Sequence, residues 1–257
     1  MYPWLHIAGK SLPTYALMAL VGALVAGWFA EYQAEKKGVH PFYMAELLLI
    51  AVIGVLAGGH LLYGLIHLDE LDKGLAHVFG GNVFYGGMIG GTLTGWLIHK
   101  KKGYPVYPIY DLVGCTIPLF HGFARIGCFL AGCCYGVESE IGFLYTNSMV
   151  PAANGVMRFP VQLLEAGCNF VLFFVLYLLF KNEKFKDKLL YVYLGGYAII
   201  RFCMEFLRGD DLERGVWFGI STSQWISIGL LVFAAIMITR SVKKMKQTES
   251  GTSSMDK

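Results

Sequence analysis

Seven long apolar segments constrain the fold of this 257-residue chain more than any other feature of its sequence. A helix needs about 20 mostly apolar residues to cross the hydrocarbon core of a bilayer. Lipid offers the backbone no hydrogen-bond partners, so such segments predict an all-α polytopic membrane bundle with about seven transmembrane helices. The segments are residues 14–32, 44–67, 83–99, 108–130, 161–180, 188–207 and 222–240.

The composition also indicates a surface that faces lipid. Hydrophobic residues make up 56% of the chain and charged residues 15%, whereas soluble domains contain about 45–50% and about 25%. The net charge is only +3, and the basic residues lie in short clusters between apolar segments. That distribution excludes the basic face that nucleic-acid-binding proteins present.

The positions of the basic residues predict the orientation of the bundle. If the N-terminus is outside, fourteen of the 21 Lys and Arg residues fall in inner connections or the C-terminal tail, and five fall in outer connections. Because cytoplasmic loops carry an excess of Lys and Arg, we expect an outer N-terminus and an inner C-terminus. We also expect a single transmembrane domain over residues 1–246, a small outer head within 131–160 and a disordered tail over 247–257.

Ionisable residues inside the apolar segments are the strongest indication of a function. Charged side chains are costly within a membrane and usually face a cavity. Arg125 follows His121 by one helical turn, and Glu205 follows Arg201 by one turn, so each pair shares a helix face. Arginine binds phosphate through two parallel donors. We therefore expect a site for a lipid phosphate headgroup, with a Tyr, His or Glu side chain moving a proton.

Each of these residues also has a structural interpretation. Arg125 could form an ion pair with Glu205 or with Asp111. Arg201 and Glu205 could form a self-contained pair buried in the bundle. His121 fits an interior, hydrogen-bonded histidine as well as it fits a catalytic one.

Two further segments contribute candidate residues. Residues 80–91 are rich in glycine around Tyr85, which allows either a helix or a ligand to approach the backbone closely. Gln162 and Glu165 lie one turn apart at the start of the fifth span. A carboxylate in that position could simply stabilise the helix N-terminus.

Cys128 and Cys133 with Cys134 could bind zinc, form a disulfide, take part in redox or nucleophilic chemistry, or pack as small hydrophobic residues. The chain contains no CxxC pair, so the sequence predicts no metal site. A thiolate at Cys128 would gain reactivity from Arg125. Packing is nevertheless the preferred interpretation, because free cysteine commonly behaves as a small apolar residue.

In their order along the chain, these motifs resemble the prolipoprotein diacylglyceryl transferase family. The resemblance extends from Pro13-Thr-Tyr15 to the seventh span. The motifs that carry it are Tyr15-Ala-Leu-Met, Gly58-Gly59, Gly80-Gly-Asn-Val-Phe-Tyr-Gly-Gly, Arg125-Ile-Gly with Gly132 and Gly136, Arg158-x-Pro-x-Gln162-x-x-Glu165, and Arg201-x-x-x-Glu205-x-x-Arg208.

The resemblance implies an enzyme of the bacterial plasma membrane that needs no metal or organic cofactor. It would transfer a diacylglyceryl group from phosphatidylglycerol to the lipobox cysteine of a prolipoprotein signal peptide and release glycerol phosphate. The predicted catalytic residues are Tyr85, His121, Arg201 and Glu205. The predicted phosphatidylglycerol-binding residues are Arg125, Tyr15, Gly86, Gly87 and Gln162.

Several polar positions depart from the family pattern. Tyrosine is a poorer base than histidine at neutral pH, since its ordinary pKa is about 10, so His121 is expected to take over that role. Two other hypotheses stay open: a related membrane enzyme with another lipid donor or thiol acceptor that uses the three cysteines, and a non-enzymatic lipid-binding or transport protein. The departures are Tyr85 for histidine, Cys128 for asparagine, Cys133 for glutamate, His60 for arginine and Phe159 for histidine.

Overall fold

Long helices dominate the computed structural model, which describes residues 1–7, 9–40, 42–81, 83–103, 106–210 and 215–253. The side chains of residues 73, 76, 84, 85, 216 and 244–253 lie outside that description. Within the described part, each of seven long helices begins within two residues of a predicted segment. They are α1 Thr14–Glu35, α2 Tyr43–Ile66, α3 Phe84–Lys102, α4 Val106–Ala131, α5 Val161–Lys181, α6 Leu189–Met204 and α7 Thr222–Ser253.

Six helical segments of the described residues are long and apolar enough to cross a bilayer, which confirms an all-α, multi-pass membrane protein. Five coincide with α1, α2, α4, α5 and the apolar part of α7, and the sixth joins α6 to the short 3₁₀ helix Glu205–Leu207. The remaining helix, α3, has 19 residues, and its glycines, threonines and three terminal lysines lower its mean hydropathy. Its membrane crossing, like the orientation of the bundle, stays a prediction.

Helix α7 continues into the segment that the sequence predicts to be disordered. It has 32 residues, which corresponds to about 48 Å at about 1.5 Å per residue. A hydrocarbon core of about 30 Å is shorter than that, so the polar end of α7 extends beyond the apolar layer. The helix ends at Ser253, and residues 254–257 lie outside the described part of the chain.

The described residues cluster into two compact units. One consists of Met1–Ala26 with Tyr110–Lys257, and the other of Gly27–Ile109. The predicted single domain over 1–246 spans both units and stays a prediction. Each unit is described by itself below.

In the second unit, α2 packs against α3 with glycine backbones in contact. A Cβ atom added to Gly58 would lie 2.3 Å from the carbonyl oxygen of Gly86, and one added to Gly90 would lie 2.2 Å from that of Gly54. No side chain fits at such distances, so these glycines set the spacing of the two helices. Of the two roles that the sequence allows for the glycine-rich segment, close approach of a helix or of a ligand, the structure shows the first.

In the first unit, a small folded segment connects α4 to α5. Its strands Glu138–Leu144 and Met157–Arg158 pair in antiparallel fashion across a bulge. Arg158 is buried, donates to backbone carbonyls including that of Gly136, and lies 4.3 Å from the ring centroid of Tyr135. These contacts show that the expected head segment is an ordered structure held by an internal arginine.

Candidate functional site

Two buried ion pairs form the centre of the candidate site in the first unit. Arg125 Nε lies 3.0 Å from Glu165 Oε2 and so connects α4 to α5. Arg201 Nη2 of α6 lies 2.9 Å from Oε2 of Glu205, which begins the 3₁₀ helix after α6. The arginine side chains are 13% and 14% exposed, whereas the carboxylates are only 2% and 3% exposed. Each carboxylate is thus enclosed, and each arginine side chain is largely buried beside it.

The partner of Arg125 differs from both partners that the sequence suggested. Glu205 pairs with Arg201, as the spacing predicts, and not with Arg125. Asp111 instead accepts backbone hydrogen bonds from Asp187 at 2.9 Å and from Leu189 at 3.0 Å, at the start of α6. The suggested pairs of Arg125 with Asp111 or Glu205 are therefore wrong.

Glu165 is the carboxylate that pairs with Arg125. It is the fifth residue of α5 and is 1% exposed overall. The helix-terminus interpretation of this carboxylate is wrong, because its side chain reaches across to α4.

Two aromatic rings lie between the ion pairs. The ring centroids of His121 and Tyr197 are 4.9 Å apart. Tyr197 and His121 both lie close enough to Arg125 and Arg201 to interact with their charges. The structure thus brings His121, Arg125, Arg201 and Glu205 together, as the sequence predicts, although their catalytic roles stay predictions.

Several polar atoms of this cluster are available to a ligand. Among the described residues, Arg201 Nη1 and Glu165 Oε1 are buried and have no hydrogen-bond partner. The other amino group of Arg201 donates to Ser223 Oγ at 3.0 Å. Buried groups without a partner cost about 1–3 kcal/mol each. A bound anion that accepts from Arg201 would offset part of that cost.

Tyr15 lies at the more open edge of this cluster. A Cβ atom added to Gly127 of α4 would lie 3.2 Å from the Cα of Tyr15, so the start of α1 packs closely on α4. The tyrosine is 44% exposed and interacts electrostatically with Arg125 and Cys128. This position fits its predicted place near the lipid.

Gln162 has a positioning role in the structure. It is 1% exposed, and its amide nitrogen donates to the carbonyl of Cys133 at 2.8 Å and to the hydroxyl of Tyr145 at 3.0 Å. It therefore fastens the chain that follows α4 to the start of α5. A direct contact with lipid would require these hydrogen bonds to break, and that predicted contact stays a prediction.

The remaining predicted site residues belong to the second unit. The backbone of Tyr85 is part of α3, but its side chain lies outside the described residues. Gly86 and Gly87 face α2, where added Cβ atoms would lie 2.3 Å and 3.0 Å from backbone oxygens. The nearby His60 has its Nδ1 atom 2.6 Å from the carbonyl oxygen of Gly81. Helix packing accounts for both glycines, and a role in lipid binding stays a prediction.

The three cysteines form a cluster beside Arg125. Helix α4 ends at Ala131, and Gly132 reverses the chain with a φ of +80°, which a residue with a side chain rarely adopts. The sulfur atoms of Cys128, Cys133 and Cys134 then lie within 4.8 Å of one another. Arg125 Nη1 is 3.9 Å from the sulfur of Cys128. The sequence favoured packing for these cysteines, and the structure gathers them as three free thiols, one of which contacts Arg125.

Hydrogen bonds within the thiol cluster shift the pKa values of the two thiols that follow α4 in opposite directions. Hydrogen bonds from Cys128 and Cys133 lower the pKa of Cys134, and the charges of Arg125 and Arg208 act in the same direction. Hydrogen bonds within the cluster raise the pKa of Cys133.

The site that the sequence predicted lacks three residues that lie around the two arginine ion pairs. Tyr197 precedes Arg201 by four residues, so helical spacing alone could have placed it on the same face. Glu165 had a sequence signal, its place in the motif with Gln162, that was assigned to the helix terminus. Ser223 had no signal, because it reaches Arg201 only through the packing of α6 and α7.

Comparison with known proteins shows similarity along nearly the whole chain. Residues 4–240 match the family model described as prolipoprotein diacylglyceryl transferase. A phosphatidylglycerol–prolipoprotein diacylglyceryl transferase of Clostridium tetani is 35% identical over 239 residues, which cover 89% of this chain and 94% of the relative. A relative of Clostridium perfringens, named phosphatidylglycerol–prolipoprotein diacylglyceryl transferase 2, is 33% identical over 249 residues and 94% of each chain.

Proposed function

Because this chain belongs to the prolipoprotein diacylglyceryl transferase family, we propose that it transfers a diacylglyceryl group from phosphatidylglycerol to a prolipoprotein. The acceptor is the thiol of the lipobox cysteine, and the setting is a bacterial plasma membrane. One observation carries the proposal: Arg125 and Arg201 lie in one cluster, each beside a buried carboxylate, and Arg201 Nη1 has no hydrogen-bond partner.

The two arginines suit the donor lipid. Phosphatidylglycerol carries one negative charge on its phosphate, and guanidinium groups bind phosphate oxygens through paired donors. Glu165 and Glu205 hold the two side chains in place before the lipid arrives. The arginines would therefore bind the headgroup with little reorganisation.

The same charges serve the reaction itself. A bond forms between the acceptor sulfur and a glycerol carbon, while the bond between that carbon and the phosphate oxygen breaks. The electron pair of the broken bond remains on glycerol phosphate, which gains negative charge in the transition state. Fixed cations aimed at that oxygen stabilise the transition state more than the ground state.

The acceptor thiol must lose its proton before or during this step. We assign His121 as the base, because its ring lies within the cluster and packs against Tyr197. Glu205 acts by holding Arg201, since its carboxylate is only 3% exposed and faces that arginine. Tyr15, at the open edge, would border the lipid.

A mass-shift assay tests the proposal. Purified protein in phosphatidylglycerol vesicles is given a synthetic lipobox peptide, and the peptide cysteine is examined by mass spectrometry. We expect a diacylglyceryl adduct and release of glycerol phosphate, neither of which forms with a serine peptide. The adduct should disappear in Arg125→Ala and persist in the control Arg240→Ala, which changes an exposed arginine of α7. A full rate of transfer in folded Arg125→Ala would refute the assignment.

A further inference from the structure

We propose that Cys128, Cys133 and Cys134 bind one zinc ion through their three sulfur atoms, and that its fourth coordination position receives an external thiol. The site is assembled by the end of α4 and the turn at Gly132. It lies in the first unit, directly beside Arg125.

The separation of the sulfur atoms fits such a site. All three lie within 4.8 Å of one another. Zinc–sulfur bonds of about 2.3 Å place the sulfurs of a zinc–thiolate site about 3.8–4.0 Å apart. Each sulfur therefore needs to move by less than about 1 Å, whereas a disulfide would bring two of them to about 2.0 Å and leave the third thiol alone.

The number and type of ligands favour zinc. Thiolates select zinc, copper(I) and iron–sulfur clusters over hard cations. Within the part of the chain that the structure describes, the group of metal-capable side chains consists of these three cysteines. Iron–sulfur clusters commonly use four cysteines, while zinc with three protein ligands keeps one position open for water or a substrate.

Neighbouring charges and hydrogen bonds support the site. Three thiolates and one Zn²⁺ carry a net charge of about −1, and the guanidinium of Arg125 lies 3.9 Å from the sulfur of Cys128. Gln162 donates to the carbonyl of Cys133 at 2.8 Å and fixes the turn that carries two of the ligands. Such outer contacts orient metal ligands and raise metal affinity.

The fourth zinc ligand is the acceptor thiol of the lipidation reaction. This assignment rests on the proposed function. Binding of a thiol to zinc releases its proton to solvent or to a base and leaves a metal-bound thiolate. That sulfur then bonds to the glycerol carbon of the donor while the carbon–oxygen bond to phosphate breaks. The site beside Arg125 would hold this sulfur next to the phosphate-binding arginine.

Cobalt(II), a spectroscopic substitute for zinc, tests the metal site without any lipid or peptide. Metal-free, reduced full-length protein in detergent is titrated with Co²⁺, and thiolate-to-cobalt charge-transfer absorption is recorded. We expect one Co²⁺ per chain, displaced by Zn²⁺. The affinity should fall at least about tenfold in Cys133→Ser and in Cys134→Ser. The control Cys203→Ser, which changes an exposed thiol outside the cluster, should bind as before.

Two results would overturn the metal site. One is the lack of a charge-transfer band in protein whose thiols are shown to be reduced by titration. The other is an unchanged band in a variant in which all three cysteines are serine. Because neither measurement involves transfer, a failure here is distinct from a failure of the proposed function.

The open position is tested by adding the lipobox peptide to the cobalt form in the absence of phosphatidylglycerol. A fourth sulfur should intensify the charge-transfer band, and a serine peptide should leave it unchanged. An identical spectrum with both peptides would overturn the assignment of the acceptor thiol to this position. An undiminished rate of lipidation after complete removal of zinc by a chelator would overturn it as well, while leaving the transferase assignment intact.

Discussion

The ion pair between Arg125 and Glu165 allows folding and activity to be separated by a double-mutant cycle. Arg125→Met leaves a carboxylate that is only 2% exposed without its cation, and Glu165→Leu leaves an arginine that is 13% exposed without its anion. Removing one partner of a buried ion pair costs about 3–5 kcal/mol of unfolding free energy. For a chain of this size, about 2–4 °C of Tm per kcal/mol gives a decrease of about 6–20 °C.

The double variant Arg125→Met/Glu165→Leu should be more stable than either single variant. It leaves no buried charge and keeps most of the side-chain volume, and such replacements are often close to neutral. With single losses of about 3–5 kcal/mol each and a double variant close to neutral, the coupling energy between the two positions should be about 6–10 kcal/mol, above the usual range of about 0.5–3 kcal/mol. The same cycle on the exposed pair Lys186 and Glu183, 46% and 48% exposed at 2.8 Å, is the control and should give about 0–1 kcal/mol.

Activity should not recover with stability. The double variant lacks the guanidinium that binds the headgroup, so the transfer rate should stay lower by about 10²–10³-fold. Thermal unfolding in detergent, followed by circular dichroism, measures stability, and initial rates in phosphatidylglycerol vesicles measure transfer. Strictly additive losses of stability would refute the buried pair, and a wild-type rate in the double variant would refute the role of Arg125.

Three other variants probe the site and its scaffold. Arg201→Lys keeps the charge but loses the planar set of donors, so the transfer rate should fall by about 10²-fold with little change in Tm; an unchanged rate would contradict headgroup binding. Gln162→Leu leaves the carbonyl of Cys133 without its donor and should cost about 1–3 kcal/mol in thermal unfolding, whereas a wild-type Tm would show that this hydrogen bond is dispensable. Gly86→Ala, whose methyl group would lie 2.3 Å from a carbonyl oxygen, should cost about 1–3 kcal/mol. Its control, Gly95→Ala on the same helix, meets an atom only at 3.8 Å and should unfold like wild type.

Four of the five departures from the family pattern lie at two places with different structural consequences. Cys128 and Cys133 stand in the thiol cluster, where both sulfurs lie within 4.8 Å of Cys134. Tyr85 and His60 belong to the second unit, where His60 contacts the carbonyl of Gly81. The structure therefore connects the first set of changes to a group of three neighbouring thiols beside Arg125, which a residue-by-residue comparison of motifs would not show.

The sequence by itself determined the class of the protein and the positions of its helices. Each long helix of the described chain begins within two residues of an apolar segment, because only continuous backbone hydrogen bonding is tolerated in lipid. Spacing along one helix also predicted the contact of Arg201 with Glu205. Such features depend on neighbours three or four residues away, so the local sequence is sufficient to specify them.

Only the tertiary structure decided which side chains on different helices contact one another. Glu165 rather than Asp111 or Glu205 meets Arg125, and the turn at Gly132 gathers the three thiols. Periodicity along a single helix places a side chain on a face, but it does not say which other helix that face will meet. The choice depends on how the helices pack, since a buried charge is stable only where packing supplies its partner.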